Sequence, residues 1–180
     1  QTVWSMGIAG SMAAGLMAWK AGGSITKKVQ AGHPAMCGII AAMMAQKGFG
    51  GPDTIFEDEW GFLNSYSYQR QYDTKFITDD LGKKWDFVTS SIKVYPCCRY
   101  SGGHIDACLD IVNKYHPNPE KIKKIFIRSS KYTLELLAKP LDRKMNPQTV
   151  VDLEFNMPFQ AAIAFVRRKV GVDEFALENA

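Results

Sequence analysis

The stretch Lys93–Asp106 reads KVYPCCRYSGGHID, and the rest of the chain divides around it. It holds two of the four cysteines and one of the three histidines, with a glycine pair directly ahead of an apolar periodic run. Upstream the sequence is rich in small residues at helical spacing. Downstream it mixes helical spacing with a short β-rich run. The expected fold class is therefore α+β: residues 1–92 form part of an all-helical domain and residues 93–180 part of a smaller α/β domain.

Outward from the stretch on its C-terminal side, Ile105, Cys108, Leu109, Ile111 and Val112 recur at helical spacing over His104–Tyr115. Pro117 and Pro119 stop that helix, because proline lacks the N–H that a helix interior needs. Glu120–Arg128 (EKIKKIFIR) places Ile125 and Ile127 on one face, which predicts a strand. A short helix is expected over Tyr132–Ala138, a loop over Pro140–Gln148, and an amphipathic helix over Met157–Val170.

On the N-terminal side, residues 6–20 (MGIAGSMAAGLMAWK) predict a helix with a flat face of small residues, ended by Gly22-Gly23-Ser24. A short loop with Lys27 and Lys28 follows, then a second helix from about Pro34 to Gln46. A shorter helix is expected to open at Pro52–Asp53, another lies near Ile77–Leu81, and residues 85–92 read as extended.

Composition narrows the function classes. The net charge is +4, with 22 basic and 18 acidic residues scattered rather than striped, so a nucleic-acid surface is not expected. The uncharged run Val3–Trp19 is at the short end of what crosses a bilayer, and its many Gly, Ala and Ser residues suit close helix packing; no membrane span is expected. Cys37, Cys97, Cys98 and Cys108 do not make a disulfide framework, since two are adjacent; a reducing, cytoplasmic setting fits. The chain starts inside an apolar pattern, as an internal piece of a longer protein does.

Three constellations carry possible chemistry. Cys97, Cys98, His104 and Cys108 form a conceivable metal set, but paired C-x-x-C spacing is missing and core packing is the expectation. Lys27 and Lys28 suit either a solvated loop or the grip of a substrate carboxylate. His104 suits an acid/base group or a helix-start residue, His33 a capping or loop role, and His116 the end of a helix.

Several segments together resemble the MmgE/PrpD family, which includes 2-methylcitrate dehydratases, cis-aconitate decarboxylases and iminodisuccinate epimerases. They are GIAGSMAAGLMAW, TKKVQAGHPAMCGIIAAMMAQKGFGGP, IFEDEWGFL, LGKKWDFVTSSIKVYPCCRY, HIDACLDI and FNMPFQAAIAFVRRKVGVDEF. The resemblance implies a helical domain followed by an α/β lid, a cleft site for a small di- or tricarboxylate, no metal or organic cofactor, and a homodimer. It implies dehydration of the 2-methylcitrate type by proton abstraction α to a carboxylate, with decarboxylation, epimerisation or a catalytically silent homologue as alternatives. The family lysine falls on Lys27, with Thr26 and Lys28 beside it as substrate-binding candidates. The family's catalytic histidine, four residues before the Asp of its I-D-A, falls on Gly102; His104 is displaced by two positions and is the nearest acid/base candidate. Phe159 stands where members commonly carry tyrosine.

Overall fold

The computed structural model describes residues 1–180, the surroundings of Gly22 excepted. Its helices are α1 (Thr2–Ser11), α2 (Trp19–Gly22), α3 (Thr26–Gln46), α4 (Phe62–Tyr66), α5 (Lys75–Thr78), α6 (Gly102–Tyr115), α7 (Lys131–Leu137), α8 (Leu141–Met145), α9 (Val150–Glu154) and α10 (Met157–Arg167), with short 3-10 turns between them. Among the described residues there is no strand. The α+β expectation is thus overturned: both halves are helical.

The strand expected over Glu120–Arg128 fails for a physical reason. A strand exists only by hydrogen-bonding to a neighbour, and this segment packs side chains onto helices instead. After a 3-10 turn at Pro119–Lys121, Ile122, Ile125 and Ile127 press against the helical core and the backbone joins no ladder. Residues 85–92 likewise hold a 3-10 turn at Asp86–Thr89 rather than an extended run. The helix expected over residues 6–20 ends at Ser11 and resumes only as the short α2. The helix expected from Pro34 starts at Thr26, leaving Pro34 inside it; no turn residue interrupts Thr26–Ala31, and these side chains tolerate helix. The Pro140–Gln148 loop holds α8.

The chain divides into two compact units: Gln1–Met17 with Thr26–Ser90, and Ala18–Ile25 with Ser91–Ala180. In the first, α1 packs on α3 through Ile8, Ala41 and Ala45, with Ala9, Met12 and Met44 around them. The small-residue face of α1 has a steric cause. A Cβ on Gly7 would stand 2.4 Å from the Pro52 carbonyl oxygen, and one on Gly51 would stand 2.5 Å from that of Trp4. Backbone meets backbone here, and only glycine permits it.

In the second unit α6 packs on α10. Ile105, Cys108 and Val112 meet Ala161, Ile163, Ala164 and Phe165, and Phe159 crosses Phe175 edge-to-face at 5.8 Å. Asp152, only 4% exposed, organises the segments beside this core. Its carboxylate accepts from Arg143 Nε at 3.0 Å and Nη2 at 2.9 Å, and from the Gln148 and Thr149 backbone N–H groups at 3.0 and 3.1 Å. Thr149 completes a capping box at the start of α9. Its hydroxyl also donates to Gly23 O at 2.8 Å, which ties residues 18–25 into this unit.

Burial pushes the Asp152 carboxyl up, but the hydrogen bonds and charge of Arg143 and the bonds from Gln148 and Thr149 outweigh it and hold the group below its ordinary value. The unfolded chain therefore binds this proton at a higher pH than the folded one. The stabilisation is complete above the ordinary value of 3.8 and is lost as pH falls through the lower folded value. Asp152→Ala should cost about 3–5 kcal/mol, because it removes the buried carboxylate that accepts from Arg143 and from two backbone N–H groups. Urea unfolding at pH 7 measures the cost, and the variant should lose part of the wild-type protein's acid dependence below pH about 4.

Candidate functional site

In the second unit the start of α6 borders a pocket of about 180 Å³ lined by Lys93, Tyr95, Arg99, Gly102, Gly103 and Asp106, with Ile92, Val94 and Cys98. Local chemistry builds it. Tyr95-Pro96-Cys97-Cys98 leads into a 3-10 turn, Arg99–Ser101, that runs directly into α6. Ser101 is the N-cap, yet its side chain does not cap the helix; it is fully buried beside the Cys97 thiol. No side chain caps α6, because the 3-10 turn runs into it and the Gly102 N–H donates to Arg99 O.

Cations surround this end. Lys93 Nζ donates to Cys97 O at 3.1 Å and Arg99 Nε donates to Ser91 Oγ at 3.1 Å, which fixes both side chains near the pocket. Tyr95 donates its hydroxyl to Asp106 Oδ1 at 2.5 Å. Burial, then the Asp106 hydrogen bond and charge, pushes the Tyr95 phenol up to about 12, so it stays protonated and neutralises none of the cations. The arrangement suits a small anion: two basic side chains stand against one carboxylate, whose Oδ1 is occupied by Tyr95.

Gly102 and His104 lie on different faces of α6. Gly102, Gly103 and Asp106 face the pocket. His104, Ile105, Cys108 and Val112 are buried. His104 Nε2 lies 3.1 Å from Gln160 Oε1. The Gln160 amide nitrogen donates to Leu153 O at 3.0 Å and Glu154 O at 3.1 Å, which fixes the amide's orientation and leaves only its oxygen for the imidazole. His104 Nε2 must therefore carry the proton, and in the neutral ring Nδ1 is the basic atom. Burial lowers the His104 value from 6.5, with Gln160 opposing.

A side chain at Gly102 would have room. Its Cβ would meet only Arg99 Nη1 within 4 Å, at an ordinary 3.6 Å, and its backbone is right-handed helical.

The other candidates fall elsewhere. Thr26, Lys27 and Lys28 form the first turn of α3, in the first unit, with Lys27 half-buried and its neighbours exposed. His33 lies within α3, one turn before Cys37, rather than at a helix start. His116 ends α6 in a left-handed conformation. Cys97 and Cys108 lie in the α6–α10 core, and burial pushes both thiols up, Cys97 to about 11. Phe159 is also in that core. Among the described residues no three His, Cys, Asp or Glu side chains converge as a metal set, and no helix is long and apolar enough to cross a membrane.

Sequence reading missed Gln160 and Lys144. Gln160 sits at an interior position of an amphipathic helix, where a polar residue is itself the signal. Lys144, 6% exposed, donates to Phe155 O at 2.6 Å and ties α8 to the end of α9; nothing in its local pattern marks it as buried.

The lowered His104 value predicts that its ring is neutral at pH 7 with the proton on Nε2, which ring-nitrogen chemical shifts will report. The unfolded chain takes up this proton more readily, so stability should rise with pH up to about 6.5 and stay level above it. His104→Gln should flatten that rise in urea titrations across this range.

Comparison with known proteins adds identity to the geometry. The MmgE/PrpD N-terminal domain matches residues 1–75 and the MmgE/PrpD C-terminal domain residues 95–180. The chain is 28% identical over 116 residues to a cis-aconitate decarboxylase of Aspergillus terreus, covering 62% of this chain and 24% of that protein. It is 26% identical over 136 residues to one from strain NIH 2624 of that species, covering 70% and 28%. A cis-aconitate decarboxylase-like protein, oryM, of Aspergillus oryzae is 25% identical over 182 aligned positions, covering 95% and 37%. The chain thus spans about a quarter to a little over a third of the length of these relatives. With both of its domains matched in order, the chain belongs to the MmgE/PrpD family.

Proposed function

We propose that this chain supplies part of the site of a lyase acting on a small di- or tricarboxylate. The observation that carries the reading is the pocket at the start of α6, where Lys93 and Arg99 stand against the single carboxylate of Asp106, inside the matched C-terminal domain. A carboxylate held there stabilises negative charge that develops at the adjacent carbon, as electrostatic catalysis requires. On α3 of the first unit, Lys27, with Thr26 and Lys28 beside it, is a separate candidate for binding a carboxylate through charge-assisted hydrogen bonds.

Two reactions fit such a site. In dehydration a base removes the proton α to a carboxylate and the β-hydroxyl leaves with its bonding pair, as for a 2-methylcitrate-type substrate. In decarboxylation the C–CO₂ bond breaks, the pair stays on carbon, and an acid returns a proton to it. The cis-aconitate decarboxylases among the relatives favour the second. Epimerisation shares the proton abstraction without the loss of a group.

The acid/base work belongs on the pocket face of α6, at the position of Gly102. His104 enters only through Nδ1, because its Nε2 is committed to Gln160. The Gly102 position and the hydroxyl-free Phe159 together favour a second reading, a catalytically silent homologue with a binding role. The protein is proposed to act as a homodimer without a cofactor. Its free, buried thiols suit a reducing, cytoplasmic setting.

The test is to assay the complete protein with cis-aconitate, 2-methylcitrate and iminodisuccinate, following CO₂ release, double-bond absorbance and loss of optical rotation. Turnover of one of them is expected, and Lys27→Ala should lower kcat/KM by about 10²–10³-fold. No turnover of any of the three by a folded protein would sink the lyase reading in favour of the silent one. A Cβ at Gly102 fits beside Arg99, and Gly102→His should raise the rate by at least about tenfold if an imidazole on this face serves as acid or base.

A further inference from the structure

The first unit holds a second chemical feature that the carboxylate reading does not use. On α3, His33 and Cys37 stand one turn apart, with Cys37 Sγ 3.5 Å from His33 Nε2 and 3.8 Å from Nδ1. Both line a pocket of about 430 Å³ whose other walls include Met6, Met12, Phe56 and Phe62. The spacing follows from the helix, since residues four apart lie on one face. Cys37 is only 7% exposed and borders this pocket.

The other thiols have different surroundings. Cys97 and Cys108 belong to the α6–α10 core, and burial holds both as thiols. Cys98 packs with Leu136, Leu137 and Met157 and borders the polar pocket at the start of α6, where no histidine lines the wall among the described residues. Thiols need a thiolate to react, and a neighbouring imidazole that accepts the proton supplies it. Among the described cysteines, Cys37 combines an imidazole within reach with a cavity large enough for a small organic molecule.

We propose that Cys37 is a covalent modification site for uncharged α,β-unsaturated carbonyl compounds, with His33 as its base. The Cys37 proton passes to His33, and the sulfur pair forms a C–S bond at the β-carbon. The π pair of the alkene moves to the α-carbon as an enolate, and the proton held by His33 returns to that carbon. Atoms and electrons balance with no oxidant. The apolar walls select a neutral electrophile, because a charged one would shed its hydration to enter.

N-phenylmaleimide, a neutral member of this class, is the probe. The complete protein is treated with one equivalent and the adduct located by peptide mass mapping. The first adduct is expected on Cys37, and Cys37→Ser should remove it. His33→Phe, which keeps the ring's bulk, should slow labelling of Cys37 by at least about tenfold, with circular dichroism confirming that the variant is folded. Anionic iodoacetate should label Cys37 more slowly than neutral iodoacetamide. First labelling on Cys97, Cys98 or Cys108 of the unaltered protein overturns the proposal without any variant. An unchanged rate in folded His33→Phe removes the base from it, and equal rates for the two iodo reagents remove the selectivity.

Discussion

The second unit hangs on the bidentate pairing of Arg143 with Asp152. A carboxylate this buried is costly unless its lone pairs are filled. Here two guanidinium N–H groups and two backbone N–H groups fill them. The pairing joins α8 to α9 although neither helix, at five residues each, is long enough to be stable by itself. It also shapes the neighbourhood of Gly23, where a Cβ would stand 2.0 Å from Asp152 Oδ1. Gly23 has a φ of 56°, so both conformation and space require glycine. With Thr149 bonded to Gly23 O and Trp19 packed on Phe155 at 4.6 Å, residues 18–25 are held where the carboxylate needs them.

How much of this is legible in the sequence depends on the range of the interaction responsible. α6 and α10 are long and periodic, and Ile105, Cys108 and Val112 announce the buried face of α6 directly. α8 and α9 are too short for periodicity to show. The one local mark of α9 is Thr149 three residues before Asp152, a capping pair whose bonds both form. The strand expected at Ile125 and Ile127 fails because alternation only describes which side chains face inward. It cannot say whether a second strand is present to pair with. The attachment of residues 18–25 rests on a contact spanning 126 positions, and no local window contains it.

The candidate site divides along the same line. The basic character of Lys93 and Arg99 and the glycine pair that opens α6 are visible in the sequence. Their convergence on one pocket, with Tyr95 locked onto Asp106, is a property of the turn that brings Tyr95–Ser101 back along the helix. Gln160 shows the opposite case. Its partners, Leu153 O, Glu154 O and His104, come from segments on both sides of the α6–α10 interface, so a residue that looks like an interruption of an apolar face is fully satisfied there.

The two-residue offset between Gly102 and His104 is where these arguments meet. Each helical residue turns by about 100°, so two positions amount to about 200°, enough to carry a side chain from the pocket face to the core face. An imidazole at 104 therefore does not stand in for one at 102 while the first turn of α6 remains intact. Turning it outward would strip His104 of its Gln160 bond, leave Gln160 Oε1 buried and unpaired, and draw Ile105 out of a position where it is fully buried. Each of these costs about 1–3 kcal/mol, against a gain of one solvated imidazole. The helix keeps His104 inside, on the other face from the pocket that Gly102 borders.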